Sequence, residues 1–405
     1  MARAARRIYK HVMASPGGLR GKLIFLVTED WYFWSHRLPM ARAARDAGFA
    51  VAVATRVTAH GERIRAEGFA LHPLRWRRGS RGLLASLAAI IEIGRLYRRE
   101  RPLVVHHVAL KAALFGGIAA RVAGVPGVVS MIAGTGYLAS ASGLRARLAA
   151  RLLRRLWPIL LLRRGNRVIV QNEEDRTALA ARRPEAAWRI AIIAGSGVDL
   201  AHFRPASEPP APPVVIAYAG RMIAIKGVAV LVAAHALLQQ RGLPVRLVLA
   251  GAPDPENPSA IDRATLTRWA TQPDVTWLGH QDDVRAVWRD AHIAVLASLG
   301  GEGLPKTLLE AAAMGRPIVA TDVPGTRSIA RDGENAMLVP PGDAAALADA
   351  LAVLAGDPEQ RRRYGAASRA LVENGFSEAA IGAATVALYD ALCDEIGAGA
   401  GPGKN

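Results

Sequence analysis

Cysteine is almost missing: Cys393 is the one thiol in 405 residues. That excludes an intramolecular disulfide framework and any cysteine-based zinc site. It suits a reducing compartment, and Cys393 is expected to be a packing residue on the last helix. The ten histidines show no metal-ligand spacing, so no metal is expected. Aromatics are scarce at 5% of the chain, which sets apart the unbroken run Trp31-Tyr32-Phe33-Trp34. Long apolar runs are also lacking. Leu152–Leu162 is interrupted by Arg154, Arg155 and Pro158, and is far short of the roughly 20 apolar residues of a membrane span. Met1–Lys10 is basic without an apolar core or a cleavage site, and is not read as a secretory signal.

Acidic residues are thin in the first half. Residues 1–205 hold 35 Lys and Arg against 12 Asp and Glu, a net +23, whereas residues 206–405 hold 17 against 22, a net −5. A general arginine bias would load both halves alike. The basic half therefore predicts a polyanionic partner: membrane phospholipid, a lipid-linked phosphate or nucleic acid. Nucleic acid is disfavoured, because no recognised motif is present and the aromatics are clustered instead of interleaved with the cations. Arg145–Arg167 does interleave arginines with Leu, Ile and Trp157. It is expected to be a basic amphipathic face on an anionic membrane.

The length suits two domains. Lys22–Val27 reads as a buried strand, Pro39–Ala47 as a helix stopped by Gly48, and Phe49–Thr55 as the next strand. The rhythm continues through a helix over Leu83–Glu100, a strand over Leu103–His107, a helix over Ala112–Ala123, and strands at Val128–Met131 and Arg167–Gln171. Pro205, Pro209, Pro210, Pro212 and Pro213 then mark a linker. The alternation restarts with a strand over Val214–Ala219, a helix over Val228–Gln240 and a strand over Val245–Ala250. Such alternation predicts parallel sheets covered by helices on both faces.

The richest segment follows the strand-like run His292–Ala297. Glu302-Gly303-Leu304-Pro305-Lys306 leads into an apolar helix over Thr307–Met314, closed by Gly315 and Pro317. A strand, glycine loop and helix aim backbone N–H groups and the positive helix end at one spot, which suits a phosphate. Glu302 lies in the loop, and Glu310 lies eight positions on, about two helical turns away. Upstream, Ala219-Gly220-Arg221 follows a strand and Lys226-Gly227 opens a helix, so two cations flank glycines that let the backbone approach a ligand.

The block from Glu302 to Gly325, with its two glutamates eight apart, resembles the retaining glycosyltransferases of family 4, of GT-B fold. The resemblance extends over roughly residues 21–395, with Gly197-Val198-Asp199, Phe203 and Pro205 matching the segment before the linker. Ala336 departs from the usual Asn-Gly pair at a turn. The resemblance implies two doubly wound Rossmann-like domains facing a cleft: an acceptor-binding domain over 21–205, a nucleotide-sugar-binding domain over 214–384, and a helix over 385–396 packing back on the first. It implies a hexosyl transfer from a nucleoside-diphosphate sugar, with UDP expected, to a polyprenyl-diphosphate-linked or other lipid-linked glycan in surface polysaccharide biosynthesis. The protein would work on the inner face of the cytoplasmic membrane, with no cofactor and no metal.

By the same resemblance, Glu302 faces the donor sugar and Glu310 the ribose hydroxyls. Arg221 and Lys226 hold the diphosphate beside Gly220 and the amides of Gly303 and Leu304. His107, at a strand end, faces the reacting sugar. Ser35, His36 and Arg37, in the loop after the first strand, and Gly134, Thr135 and Gly136, in a second loop, are expected to touch the acceptor. With Glu310 committed to the ribose, the two-carboxylate scheme of hydrolases has no second partner, and same-face attack is expected. Two alternatives stay open: a sugar-nucleotide epimerase or hydrolase on the same fold, and a non-enzymatic polyanion-binding protein.

Overall fold

The computed structural model describes residues 20–76, 82–132 and 161–398. The chain divides into two compact units, residues 1–196 with 379–405, and residues 197–378. The division precedes the proline run. Those prolines are not a free linker, because side chains of the second unit hold the segment. Arg316, itself buried, donates to the carbonyls of Ala206 and Ser207 at 3.0 and 3.1 Å. Arg361 grips Glu208 at 2.9 Å, and the His292 ring meets the Pro209 carbonyl at 3.1 Å.

The first unit is a seven-stranded parallel sheet in the order β3-β2-β1-β4-β5-β6-β7. The strands are β1 (Lys22–Glu29), β2 (Ala50–Arg56), β3 (Ala70–Pro73), β4 (Val104–Val108), β5 (Gly127–Met131), β6 (Asn166–Val170) and β7 (Ile190–Ile192). Between them run α1 (Asp30–His36), α2 (Leu38–Asp46), α3 (Gly61–Ala66), α4 (Leu83–Glu100), α5 (Leu110–Ala123) and α6 (Glu173–Ala180). Leu23, Ile24, Phe25 and Leu26 of β1 are consecutive and all fully buried, as expected where helices cover both faces of a parallel sheet. Each such side chain contributes about 1.5–3 kcal/mol of burial.

The second unit is a six-stranded parallel sheet in the order β10-β9-β8-β11-β12-β13. Its strands are β8 (Val214–Ala219), β9 (Val245–Ala250), β10 (Val275–Gly279), β11 (Ile293–Leu296), β12 (Ile318–Thr321) and β13 (Ala336–Val339). Its helices are α7 (Val228–Gln240), α8 (Arg263–Ala270), α9 (Arg285–Arg289), α10 (Lys306–Ala313), α11 (Pro324–Arg327), α12 (Ala344–Gly356) and α13 (Pro358–Glu373). The last helix, α14 (Glu378–Ala398), returns to the first unit, where Ile381, Leu388, Tyr389 and Leu392 join the core around β1. The segments that lead out of and back to the first unit are bonded side by side: Val198 N–H donates to Phe376 O at 2.9 Å and Glu378 N–H to Val198 O at 3.0 Å. Among the described residues no helix is long and apolar enough to cross a membrane.

Candidate functional site

In an open parallel sheet, ligands bind beyond the carboxyl ends of the strands where the strand order reverses. In the second unit that point lies between β8 and β11. The loop after β8 carries Gly220, Arg221, Lys226 and Gly227, and the loop after β11 carries Ser298, Glu302, Gly303 and Leu304. The two loops touch backbone to backbone. Gly227 sits at φ 68°, and a Cβ there would lie 1.7 Å from the Ala297 carbonyl oxygen, so only glycine fits.

That contact sets Lys226 against Glu302. The Lys226 ammonium donates to both carboxylate oxygens, at 2.7 and 2.8 Å, and the Ser298 hydroxyl donates to the same carboxylate at 2.7 Å. Both charged side chains are mostly buried, at 17% and 9% exposure, so the pair is held in a partly dry site where Coulomb attraction is stronger than at the surface. Thr307, in the first turn of α10, donates to the Ala219 carbonyl at 2.7 Å and moors that helix end to β8. No side chain caps α10, whose positive pole lies at this end of the sheet. Gly325 packs against the acidic loop so closely that a Cβ would come within 1.8 Å of the Gly303 carbonyl oxygen.

Glu310 lies on α10 with Lys306 at 3.8 Å. Burial pushes its carboxyl up to about 7, against a smaller downward pull from Lys306. Arg221 points elsewhere: its guanidinium pairs with Asp254, in the loop after β9, at 2.9 Å. Gly220 is part of the floor, its carbonyl oxygen 1.8 Å from where a Cβ on Gly251 would lie. The structure thus joins Lys226 directly to Glu302, places Gly303 and Leu304 on the same loop, and sets Arg221 in a separate ion pair. Ser298, Thr307 and Asp254 escaped the sequence reading. Their partners are 4, 88 and 33 positions away, and Ser298, four before Glu302, was the one detectable locally.

The first unit corrects several expectations. The run after β1 is not a loop but the helix α1. Ser35 is turned back on it, donating to the Trp31 carbonyl at 2.8 Å and meeting His36 Nδ1 at 2.6 Å, while His36 stacks on Tyr32 at 4.3 Å. Arg37 is 1% exposed and donates to Gly195 O and the Tyr32 hydroxyl, both at 3.4 Å. It is a structural cation inside the unit, unsuited to an acceptor phosphate. His107 is fully buried: its Nε2 meets the Tyr97 hydroxyl at 3.1 Å and lies 2.6 Å from where a Cβ on Gly116 of α5 would be. Burial lowers its pKa to about 3, so the ring is neutral, and it occupies the interior of the unit instead of a surface open to a sugar. Gly134, Thr135 and Gly136, and residues 145–160 of the basic stretch, lie outside the described residues.

The polar group that does organise the end of β1 is Asp30, which the sequence reading passed over. Its carboxylate accepts from Thr58 N–H at 2.7 Å, Ala59 N–H at 3.0 Å and His60 N–H at 2.8 Å. Burial alone would raise its pKa, but the hydrogen bonds from Thr58, His60 and Trp31 outweigh burial and hold it below the usual carboxylate range.

In comparison with known proteins, each half of the chain matches a glycosyltransferase family model. Residues 213–357 match the family model "Glycosyl transferases group 1", and residues 22–172 match "Glycosyl transferase 4-like". The chain is 34% identical over 218 residues to a D-inositol 3-phosphate glycosyltransferase of Arthrobacter, covering 50% of each chain. It is 28% identical over 181 residues to the capsular polysaccharide biosynthesis glycosyltransferase CapM of Staphylococcus aureus, covering 45% of this chain and 47% of that one. The chain thus spans about half the length of the curated relatives it matches. Among solved structures, a glycosyltransferase of Rickettsia africae superposes with a TM-score of 0.74 at 16% identity, over 92% of this chain and 98% of that one. HepE of Anabaena, solved with UDP, superposes with a TM-score of 0.72 at 18% identity, over 91% and 100%. At these identities the structural likeness shows the fold, the pair of doubly wound domains called GT-B.

Proposed function

We propose that this chain, whose two halves each match a glycosyltransferase family model, is a hexosyltransferase of surface polysaccharide biosynthesis, taking its sugar from a nucleoside diphosphate. The observation that carries the reading is the Lys226–Glu302 pair, at 2.7 Å, held across the two loops of the switch point beside the N-terminus of α10. A diphosphate arriving there competes with Glu302 for the ammonium. The carboxylate so released accepts from hydroxyls of the attached sugar. One exchange of partners thus couples phosphate binding to sugar binding.

The chemistry to stabilise is the negative charge that grows on the departing diphosphate. Cations and a helix N-terminal pole held at that spot do this, and Lys226, once exchanged from Glu302 to the diphosphate, supplies the cation beside the N-terminus of α10. Arg221 joins it by leaving Asp254. Glu310 takes the ribose hydroxyls. The reading is metal-independent and retaining, with attack on the same face as departure and the leaving phosphate oxygen accepting the acceptor's proton. UDP is the proposed nucleotide, in line with HepE, which was solved with UDP. The proposed acceptor is a lipid-linked glycan, reached from the inner face of the cytoplasmic membrane, in line with the excess of Lys and Arg over residues 1–205.

The test is a thermal-shift titration with UDP-, GDP-, ADP- and dTDP-sugars in the presence of chelator. One nucleotide is expected to raise the melting temperature of the wild type, and Lys226→Met is expected to weaken that binding roughly tenfold or more, as loss of a charge-assisted contact does. No shift with any donor would overturn the reading. Consumption of the sugar nucleotide at full rate without an acceptor would favour an epimerase or hydrolase.

A further inference from the structure

Helix α4 presents an apolar stripe that no described part of the chain covers. Leu84 is 83% exposed, Leu87 51% and Ile91 44%. Their spacing of three and four residues puts them on one face of the helix. The next two turns of that face carry Arg95 and Arg98, both exposed and with no salt-bridge partner among the described residues. Arg99 follows at its edge, bonded to Glu100 at 2.9 Å. The opposite face is ordinary core: Ala89, Ile93, Leu96 and Tyr97 are buried under the sheet. The exposed face therefore divides along its length into an apolar first half and a cationic second half.

Single exposed hydrophobic residues need no explanation, but a contiguous stripe beside a cationic rim marks an interaction surface. The charge names the partner. The cations sit on the same outward stripe as the apolar side chains, so the complementary surface offers apolar depth next to a layer of negative charge. An anionic bilayer has that profile: acyl chains beneath phosphate headgroups. A protein partner would need an acidic collar around an apolar pocket, and nothing in the fold points to one.

We propose that the α4 face docks the protein on an anionic phospholipid surface, with Leu84, Leu87 and Ile91 in the acyl boundary and Arg95 and Arg98 at headgroup phosphates. This names the surface through which the first unit would meet the membrane, and it rests on the lipid-linked acceptor proposed above. It adds a second candidate membrane contact to the Arg145–Arg167 stretch expected from sequence.

The experiment is flotation of the full-length protein with vesicles of phosphatidylcholine, with and without phosphatidylglycerol. The wild type is expected to float with phosphatidylglycerol vesicles, less so as salt rises, and weakly with phosphatidylcholine alone. Leu84→Glu with Leu87→Glu, and separately Arg95→Glu with Arg98→Glu, are each expected to cut binding about tenfold or more. All these positions are exposed, and melting temperature together with UDP-sugar binding serves as the control for folding. Unchanged flotation of either double variant overturns the proposal. So does a wild-type dimer in solution that Leu87→Glu dissociates, which would make the stripe a self-interface. Wild-type flotation by these variants with donor binding intact sinks the docking surface alone. Absence of donor binding in the wild type sinks the transferase reading instead.

Discussion

Lys226, Glu302 and Ser298 form a chain of three hydrogen-bonding groups in which each constrains the next. The Ser298 hydroxyl and the Lys226 ammonium both donate to one carboxylate, so the serine still holds that carboxylate when a diphosphate draws the ammonium away. Glu310 is the residue whose behaviour should depend most on pH. Its folded-state pKa, about 7, lies above the ordinary value of 4.5. The folded chain therefore binds this proton more tightly than the unfolded chain, and stability is lost as pH rises between those two values. Glu310→Gln is expected to match the wild type near pH 4 and to exceed it above pH 7 by up to about 3 kcal/mol, since a tenfold change in proton affinity corresponds to about 1.4 kcal/mol. Chemical denaturation of the two proteins across that range checks it. A constant difference at all pH values would mean that Glu310 is not buried as a titrating carboxyl.

At the scale of elements, the acidic loop is held by its neighbours. Gly325 of α11 touches the Gly303 carbonyl, and any Cβ there must displace the loop. Gly325→Ala is therefore expected to cost about 1–3 kcal/mol of overpacking and to weaken donor binding through the shifted loop, read from the same thermal-shift titration. Wild-type affinity in that variant would show that the loop geometry is not needed.

The elements also show where sequence reading succeeds. Runs such as Leu23–Leu26 announced buried strands, and the helix expected over Leu83–Glu100 is α4. The Trp31–Arg37 run hid a helix because aromatic residues have only middling helix preference, no side chain caps its start, and Pro39 follows closely. Packing overrides that local signal: Phe33 is fully buried and meets Phe25 at 5.9 Å. The histidines misled for a related reason. His106 and His107 are neighbours on β4 and so face opposite sides of the sheet, where they meet Tyr389 and Tyr97; both faces are covered, and both rings are interior. Glycines and cations marked the loops of the candidate site, whereas the Lys226–Glu302 contact joins residues 76 apart, a pairing that only the sheet order creates.

At the scale of the whole molecule, the charge asymmetry and the division into units nearly coincide, because the first unit contains most of the basic half. That unit also depends on α14. The Tyr389 hydroxyl meets His106 Nδ1 at 2.5 Å inside the core, and removing it leaves a buried ring nitrogen unpaired. Tyr389→Phe is expected to cost about 1–3 kcal/mol in the first unit while leaving UDP-sugar binding by the second unchanged. Calorimetry beside the donor titration would separate the two effects, and equal unfolding of mutant and wild type would remove the hydrogen bond from the account.

The return of α14 also fixes an order of events during synthesis. The core around β1 needs Ile381, Leu388 and Leu392 from the other end of the chain. A ribosome releases β1 well before these residues, and the whole second unit, residues 197–378, emerges in between. The half made first is thus the half finished last. Until α14 has been made, the groove that it will fill is an open apolar surface on a nascent chain, available to chaperones and to other unfinished copies on the same message.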